Sequence, residues 1–371
     1  MTNRERALAI LNYQPYDRMP LVHFGYWGET LEKWCQEGHL SREEIHGWGD
    51  GNAVDAALSR KIGWDFDWQC MVYPDTGLRP GFESKVIEEF PDGSRSVLNG
   101  DGMIVHLREG ATSIPAEVGH LLTGREAWEE LYLPKLQYSE DRLPMEALAS
   151  AADDAARESP LGLHCGSLYG QIRNWLGVQG SCYLLADDAE LFTEIIDTVG
   201  ELCYRCTEAA LASGARFDFA HFWEDICFKN GPLISPAVFK RKVGLHYRRI
   251  TDLVAKAGIP IVSLDCDGCI DRLVPIWLEN GVNTMFPIEV GTWEASIAPW
   301  REQYGRDLRG VGGMDKRVFA QDRAAVDTEI ERLKSLVDLG GYIPCPDHRI
   351  APDAEFDNVR YYCDRMRAVF G

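Results

Sequence analysis

A chain of 371 residues, 45% hydrophobic and 26% charged, can bury a large core either as one barrel or as two ordinary domains. Its 58 acidic against 38 basic residues, a formal net charge of -20, argue against general nucleic-acid binding, which draws its affinity from a basic face. No stretch approaches the roughly 20 apolar residues of a membrane helix, and the opening MTNRERALAILNYQPYDRMP has no apolar run long enough for a signal peptide, so a cytoplasmic location without membrane contact is expected.

The chain opens with a short helix over 3–11 and a first strand, PLVHF, over 20–24. Residues 28–60 read as mainly helical, and WDFDW at 64–68 as a short alternating strand. From 72 to 109 the pattern changes: Pro74, Gly77, Pro80 and Gly81, then PDGS and NGDG, punctuate short apolar alternations, which predicts peripheral β-hairpins inserted beside the main fold. LGLHC at 161–165 is strand-like. A helix over 187–214 carries Phe192, Ile195, Val199, Leu202, Cys206 and Ala209 on one stripe, with Asp187 or Asp188 as cap and Gly214 as stop. Then come strand 216–222, helix 236–256, the strand GIPIVSLD, the helix DRLVPIWLENG, the strand NTMFPIEV, a short strand at 308–313, a helix over 322–339 and a closing strand, GGYIPC.

Strand signals near 20, 64, 161, 217, 260, 284, 309 and 342, most followed by a helix, fit a single α/β chain folded as a (β/α)8 TIM barrel. The rival is a doubly wound open sheet. No GxGxxG opens a helix after the first strand, and GVGG at 310–313 lies too late to be a dinucleotide fingerprint.

A barrel builds its active site from residues at the C-terminal ends of the strands. Polar residues at those places are His23, Asp65, Asp67, His221, Glu224, Asp225, Asp265, Asp267, Glu289, Asp315, Asp347 and His348, an acidic rim. In SLDCDGC, Asp265 and Asp267 are two apart, so an extended backbone turns both carboxylates to one side. Such a pair gains from a cation, although Asp and Gly also serve ordinary turns. The rival metal set in the same stretch is Cys266 and Cys269 with Cys345 after the last strand. Eleven cysteines in a chain too large to need disulfide staples suit reduced thiols, and buried cysteine often acts as a small hydrophobe. His348, in PCPDHR, is placed to ligate a metal or carry a proton. His221, Glu224 and Asp225 are candidates for proton transfer or orientation, and Lys229 for anion binding. In HCGSLYGQIRNWLG, Tyr169 and Arg173 are candidates for holding a carboxylate and a flat ring. His23 and Glu289 complete the candidate substrate-binding set.

RERALAILNYQPYDRMPLV, HFWEDICFKNGPLISPAVFKR, DCDGCIDRLVPIWLENGVNTMFPIEV, and GVGGMDKR through GGYIPCPDHRIAPDAEFDNVRYY together resemble the uroporphyrinogen decarboxylase superfamily, which also contains the corrinoid-dependent methyltransferases. The resemblance covers essentially the whole chain and implies one barrel domain over 1–371, with 72–109 its least certain part. The decarboxylases clamp propionates with arginines after the first strand; the corresponding HFGYWGETLEKW has none, while their late histidine maps to His348 and their substrate-side tyrosine near Tyr169. In the methyltransferase branch, a zinc motif of histidine, one residue and cysteine, with a later cysteine, falls by position on Asp265, Asp267 and His348, where all three residue types differ.

The resemblance therefore implies a metal-dependent methyltransferase. It would use a divalent ion such as zinc and move a methyl group from a small methylated compound to a corrinoid carried on a partner protein, or to a thiol, with homodimerisation a family expectation. The alternatives are a decarboxylase of a carboxylated ring, which needs no cofactor, and a non-catalytic small-molecule-binding barrel.

Overall fold

A computed structural model describes residues 1–108, 115–153 and 156–371. Seven parallel strands form one sheet in the spatial order Tyr342–Pro346, Arg309–Met314, Thr284–Phe286, Val262–Asp265, Phe219–Trp223, Gly162–His164 and Met71–Val72. Parallel neighbours require crossovers, and helices such as Ala189–Ala212, Gly244–Lys256, Val274–Glu279 and Arg323–Val337 supply them. A further parallel pair joins Val22–His23 to Phe66–Asp67. Past the first strand the chain meets the last strand's loop through a parallel bridge between Tyr26 and Ile350, where Trp27 N–H donates to the Ile350 carbonyl and Ile350 N–H to the Gly25 carbonyl, both at 3.1 Å. The outcome is a barrel-like α/β fold with strand residues at all eight positions read from the sequence. None of the described helices is long and apolar enough to cross a membrane.

Local chemistry explains where strands are shorter than their apolar runs. The first strand keeps only Val22 and His23 because Leu21 N–H donates to the Asp65 side chain at 2.8 Å, and Gly25 turns the chain at φ +72°. Asp65 is also paired with Arg18 at 2.6 Å, so it secures this entry rather than the rim. Inside the sheet, Trp68 stacks on Phe219 with centroids 4.4 Å apart and donates its indole N–H to Ser263 Oγ at 3.3 Å, which satisfies the buried polar atom of a large apolar side chain.

The long helix Ala189–Ala212 buries Phe192, Ile195, Val199, Leu202 and Cys206 as its spacing predicts, and its stripe ends on Ala210 rather than Ala209. Asp188 caps it, accepting from Leu191 N–H at 2.8 Å. An antiparallel sheet of Lys85–Glu89, Arg95–Leu98, Met103–Leu107 and Ala116–His120 lies beside the main fold. Its fourth strand lies beyond the 72–109 segment of the sequence reading, and residue 109 itself lies outside the described residues. Two bonds tie this sheet to the helix Gly170–Asp187: Gln171 to Asp101 at 2.9 Å and Val178 N–H to Glu117 at 3.0 Å.

Candidate functional site

At the C-terminal ends of the parallel strands lies a cavity of about 450 Å³, whose walls include Trp27, Gln69, Tyr73, His164, His221 and Trp223, together with Asp225, Asp265, Asp267 and His348. Asp265 ends its strand, and Asp267 follows in the turn. Asp225 lies two residues beyond the strand Phe219–Trp223, with a left-handed backbone at φ +48°. One carboxylate oxygen from each of Asp225, Asp265 and Asp267 lies within 4.8 Å of the others. The trio is braced through uncharged donors: Asp267 N–H to Asp225 at 3.1 Å and Gln69 to Asp265 at 3.2 Å, with Gln69 in turn accepting from the Tyr73 hydroxyl at 3.2 Å. Beside it, His348 Nε2 lies 3.2 Å from Asp267 Oδ2.

Electrostatics follow from that packing. Burial and then the Asp267 charge push the Asp225 carboxyl up to about 7. Burial, then the charges of Asp225 and Asp267, push Asp265 well above the usual carboxylate range. Asp225 and Asp265 are thus held toward their protonated forms unless a cation replaces the proton. Asp267 Oδ1 and His348 Nδ1 are buried without hydrogen-bond partners, which leaves unused ligand atoms at the cluster. An all-carboxylate donor set suits a divalent cation. Among the described residues, the thiols of Cys266, Cys269 and Cys345 form no comparable group.

The same cavity is lined by two neutral imidazoles on adjacent strands, His164 and His221, paired in register with ring centroids 5.9 Å apart. Burial lowers His164 to about 4, and burial with the His164 neighbour takes His221 well below its ordinary value. His164 Nδ1 accepts from Gly166 N–H at 3.2 Å, so its proton resides on Nε2. The sequence reading omits His164, although the rule that selects His23, a polar residue at the end of an apolar strand, selects it as well. Gln69, Tyr73 and Trp27 carry no such signal.

The remaining candidates are dispersed. Glu289 faces an adjoining recess that shares Trp27 and His348, and accepts from Gly268 N–H at 2.5 Å and the Thr292 hydroxyl at 2.8 Å. Arg173 lies 5.8 Å from the Trp223 ring centroid. Lys229 is exposed on the turn linking Cys227–Phe228 to Gly231–Pro232. Tyr169 is buried away from the cavity, its hydroxyl donating to the Ser181 carbonyl at 3.0 Å. Glu224 is fully buried behind the wall. Asp315 is paired with Arg317, and Asp347 accepts Gly291 N–H.

His23 belongs to a second group. With Asp55 and Asp67 it brings three potential ligand atoms within 4.8 Å, all buried between the first strands and the helix Ala53–Ile62. Its chemistry differs from that of the trio. Gly25 N–H donates to His23 Nδ1 at 3.0 Å, so the ring proton sits on Nε2, which faces Ser59 Oγ at 2.8 Å and Asp55 at 3.6 Å. The nitrogen nearest the carboxylates is thus a donor, engaged with Ser59 and Asp55, while Asp67 accepts from Gln69 N–H through Oδ1 and leaves Oδ2 without a partner. Burial pushes Asp55 up to about 6 and lowers His23 to about 3.

Comparison with known proteins places this architecture. A methyltransferase from Methanosarcina mazei superposes with a TM-score of 0.58 at 15% sequence identity, covering 100% of this chain and 99% of that one. Two B12-independent methionine synthases align more loosely: one described as putative, from Listeria monocytogenes, at 12% identity, 96% and 98% coverage and TM-score 0.42, and one from Shewanella sp. W3-18-1 at 8% identity, 95% and 99% coverage and TM-score 0.47. No curated protein sequence matches. The family model for uroporphyrinogen decarboxylase (URO-D) matches residues 102–369, most of the chain, and this protein belongs to that family.

Proposed function

We propose that this protein is a metal-dependent methyltransferase built on a closed eight-stranded barrel, moving a methyl group from a small methylated compound to a corrinoid held by a partner protein or to a thiol. The observation that carries the reading is the Asp225, Asp265 and Asp267 trio, three carboxylates on one cavity wall braced by neutral donors. These residues would hold a divalent ion, zinc or a harder cation, with His348 fixed beside them through Asp267. When bound, such an ion supplies Lewis acidity to the heteroatom that bears the methyl group. The protein's own part is orientation. His164 presents its Nε2 proton on a neutral ring, suited to an acceptor atom of the substrate, and His221 keeps a neutral face beside it. Trp27, stacked on His348 at 5.8 Å, and Tyr73 supply aromatic surface to the cavity wall.

The decarboxylase reading finds less support in the same cavity. A polycarboxylate needs cationic partners, whereas Arg349 is committed to Asp50 at 2.8 Å and Arg173 lies against Trp223. The test is methyl transfer from a panel of methylated oxygen, nitrogen and sulfur compounds to free cob(I)alamin in the presence of Zn²⁺ or Mn²⁺, followed by visible absorbance, with uroporphyrinogen assayed in parallel. Transfer by the wild type and its loss in Asp265→Asn are expected. Turnover of uroporphyrinogen without methyl transfer would overturn the proposal, and ligand binding without either reaction would make the chain a binding barrel.

A further inference from the structure

We infer that Glu224 is a positioning residue that sets the metal-binding geometry of Asp225 and Asp265 from behind the cavity wall, an inference that rests on the metal reading above. Glu224 directly precedes Asp225 and is 0% exposed, so it touches neither cavity nor solvent. A buried carboxylate persists only when donors surround it. Leu168 N–H reaches Oε1 at 2.9 Å, and Tyr169 and Gly170 N–H reach Oε2 at 2.9 and 2.6 Å. Ser167 Oγ lies 3.3 Å from Oε2, and the Tyr247 hydroxyl donates to Oε1. The three backbone donors come from the loop entering the helix Gly170–Asp187, so the carboxylate caps that helix N-terminus from a different strand.

The same residue is clamped through its main chain. Glu224 N–H donates to the Asp265 carbonyl at 2.9 Å. Its own carbonyl approaches Gly170 so closely that a Cβ there would sit 1.9 Å from the oxygen. One side chain and one peptide thus tie the loop after His164, the helix carrying Tyr247 and the end of the Asp265 strand to a single point. From that point the chain passes directly into Asp225, which takes a left-handed backbone at φ +48°, a conformation aspartate tolerates better than most non-glycine residues, so the fixed peptide before it sets where its carboxylate points. Glu224 therefore acts through Asp225 and Asp265, and not as a proton donor to substrate.

Mn²⁺ binding to the intact protein, read by electron paramagnetic resonance, tests the assignment. Glu224→Gln keeps the shape but turns an amide NH2 toward the backbone donors; Mn²⁺ affinity is expected to fall at least about tenfold, with the pH midpoint of binding displaced. Tyr247→Phe removes one donor and should cost about two- to fivefold. His23→Ala, equally buried but outside this network, should leave affinity within about twofold, separating positioning from general destabilisation. If Glu224→Gln folds and binds Mn²⁺ within about twofold of wild type while Asp265→Asn loses it, the inference fails and the metal reading stands. If Glu224→Gln does not fold, an unchanged affinity in Tyr247→Phe overturns the inference. If Asp265→Asn also binds normally, or the wild type binds none, the metal reading fails and takes this inference with it.

Discussion

Two clusters of potential ligands, one of a histidine and two carboxylates near the first strands and one of three carboxylates at the cavity, are put to opposite ends. In His23, Asp55 and Asp67, the ring proton points at Ser59 and Asp55, Trp48 donates to Asp55 at 2.8 Å, and the helix Ala53–Ile62 seals the group. Asp225, Asp265 and Asp267 bring only carboxylate oxygens together, with no nitrogen donor among them, and the group opens on a cavity. The difference teaches that proximity of ligands is not a metal site. What matters is whether the lone pairs nearest one another are free, and whether an ion has a way in.

The largest expected effect breaks the open group. Asp265→Asn should lower divalent-metal affinity by more than about 100-fold, beyond the range of outer partners, while metal-free stability stays level, because burial already holds the Asp265 carboxyl toward its neutral form and an amide of the same shape keeps that neutrality. Metal content after purification without chelator, together with a urea melt, checks both halves. His23→Ala should do the reverse: about 2–4 kcal/mol of stability lost through the cavity and the stranded Ser59 and Asp55 groups, with metal content unchanged.

pH sharpens the contrast. Asp225 moves from 3.8 in the unfolded chain to about 7 when folded, so the native state binds more protons across that window and the metal-free protein loses stability as pH rises through it. Asp265, raised for the same cause, acts in the same direction. In the closed group the effects oppose: Asp55, raised to about 6, also favours low pH, but His23, lowered to about 3, loses stability as pH falls below 6.5. Saturating Mn²⁺ should therefore raise the melting temperature most at about pH 8 and least at about pH 5, since metal binding displaces protons from Asp225 and Asp265. A Mn²⁺ shift independent of pH would remove Asp225 and Asp265 from the site. The smallest expected effect is at Lys229: exposed, outside both groups, it should tolerate Lys229→Ala with less than about 0.5 kcal/mol change in stability and unaltered metal affinity.

Much of the fold was legible because parallel strands buried on both faces read as apolar runs such as PLVHF, GIPIVSLD and GGYIPC, spaced along the chain with helical segments between most of them. The pairing of Asp265 with Asp267 followed from two-residue spacing alone. The segment Gly170–Asp187 carried no clear helical signal because Gly177, at φ +66°, breaks it into two short helices across a kink. His23 and His164 show the limit most directly. Each closes an apolar strand, yet His23 turns outward to Ser59 on a helix while Phe24 lines the cavity, and His164 itself faces in. Strand alternation makes a one-residue difference decisive, and its phase is set by which side of the strand the helices cover. Sequence by itself determined the strand rhythm, the acidic character of the rim and the local pairing of two carboxylates, all properties of neighbouring residues. Only the tertiary structure decided that Asp225 joins them, that Glu224 stands behind the wall and that Lys229 lies outside, because those outcomes depend on turns, burial and donors contributed by distant segments.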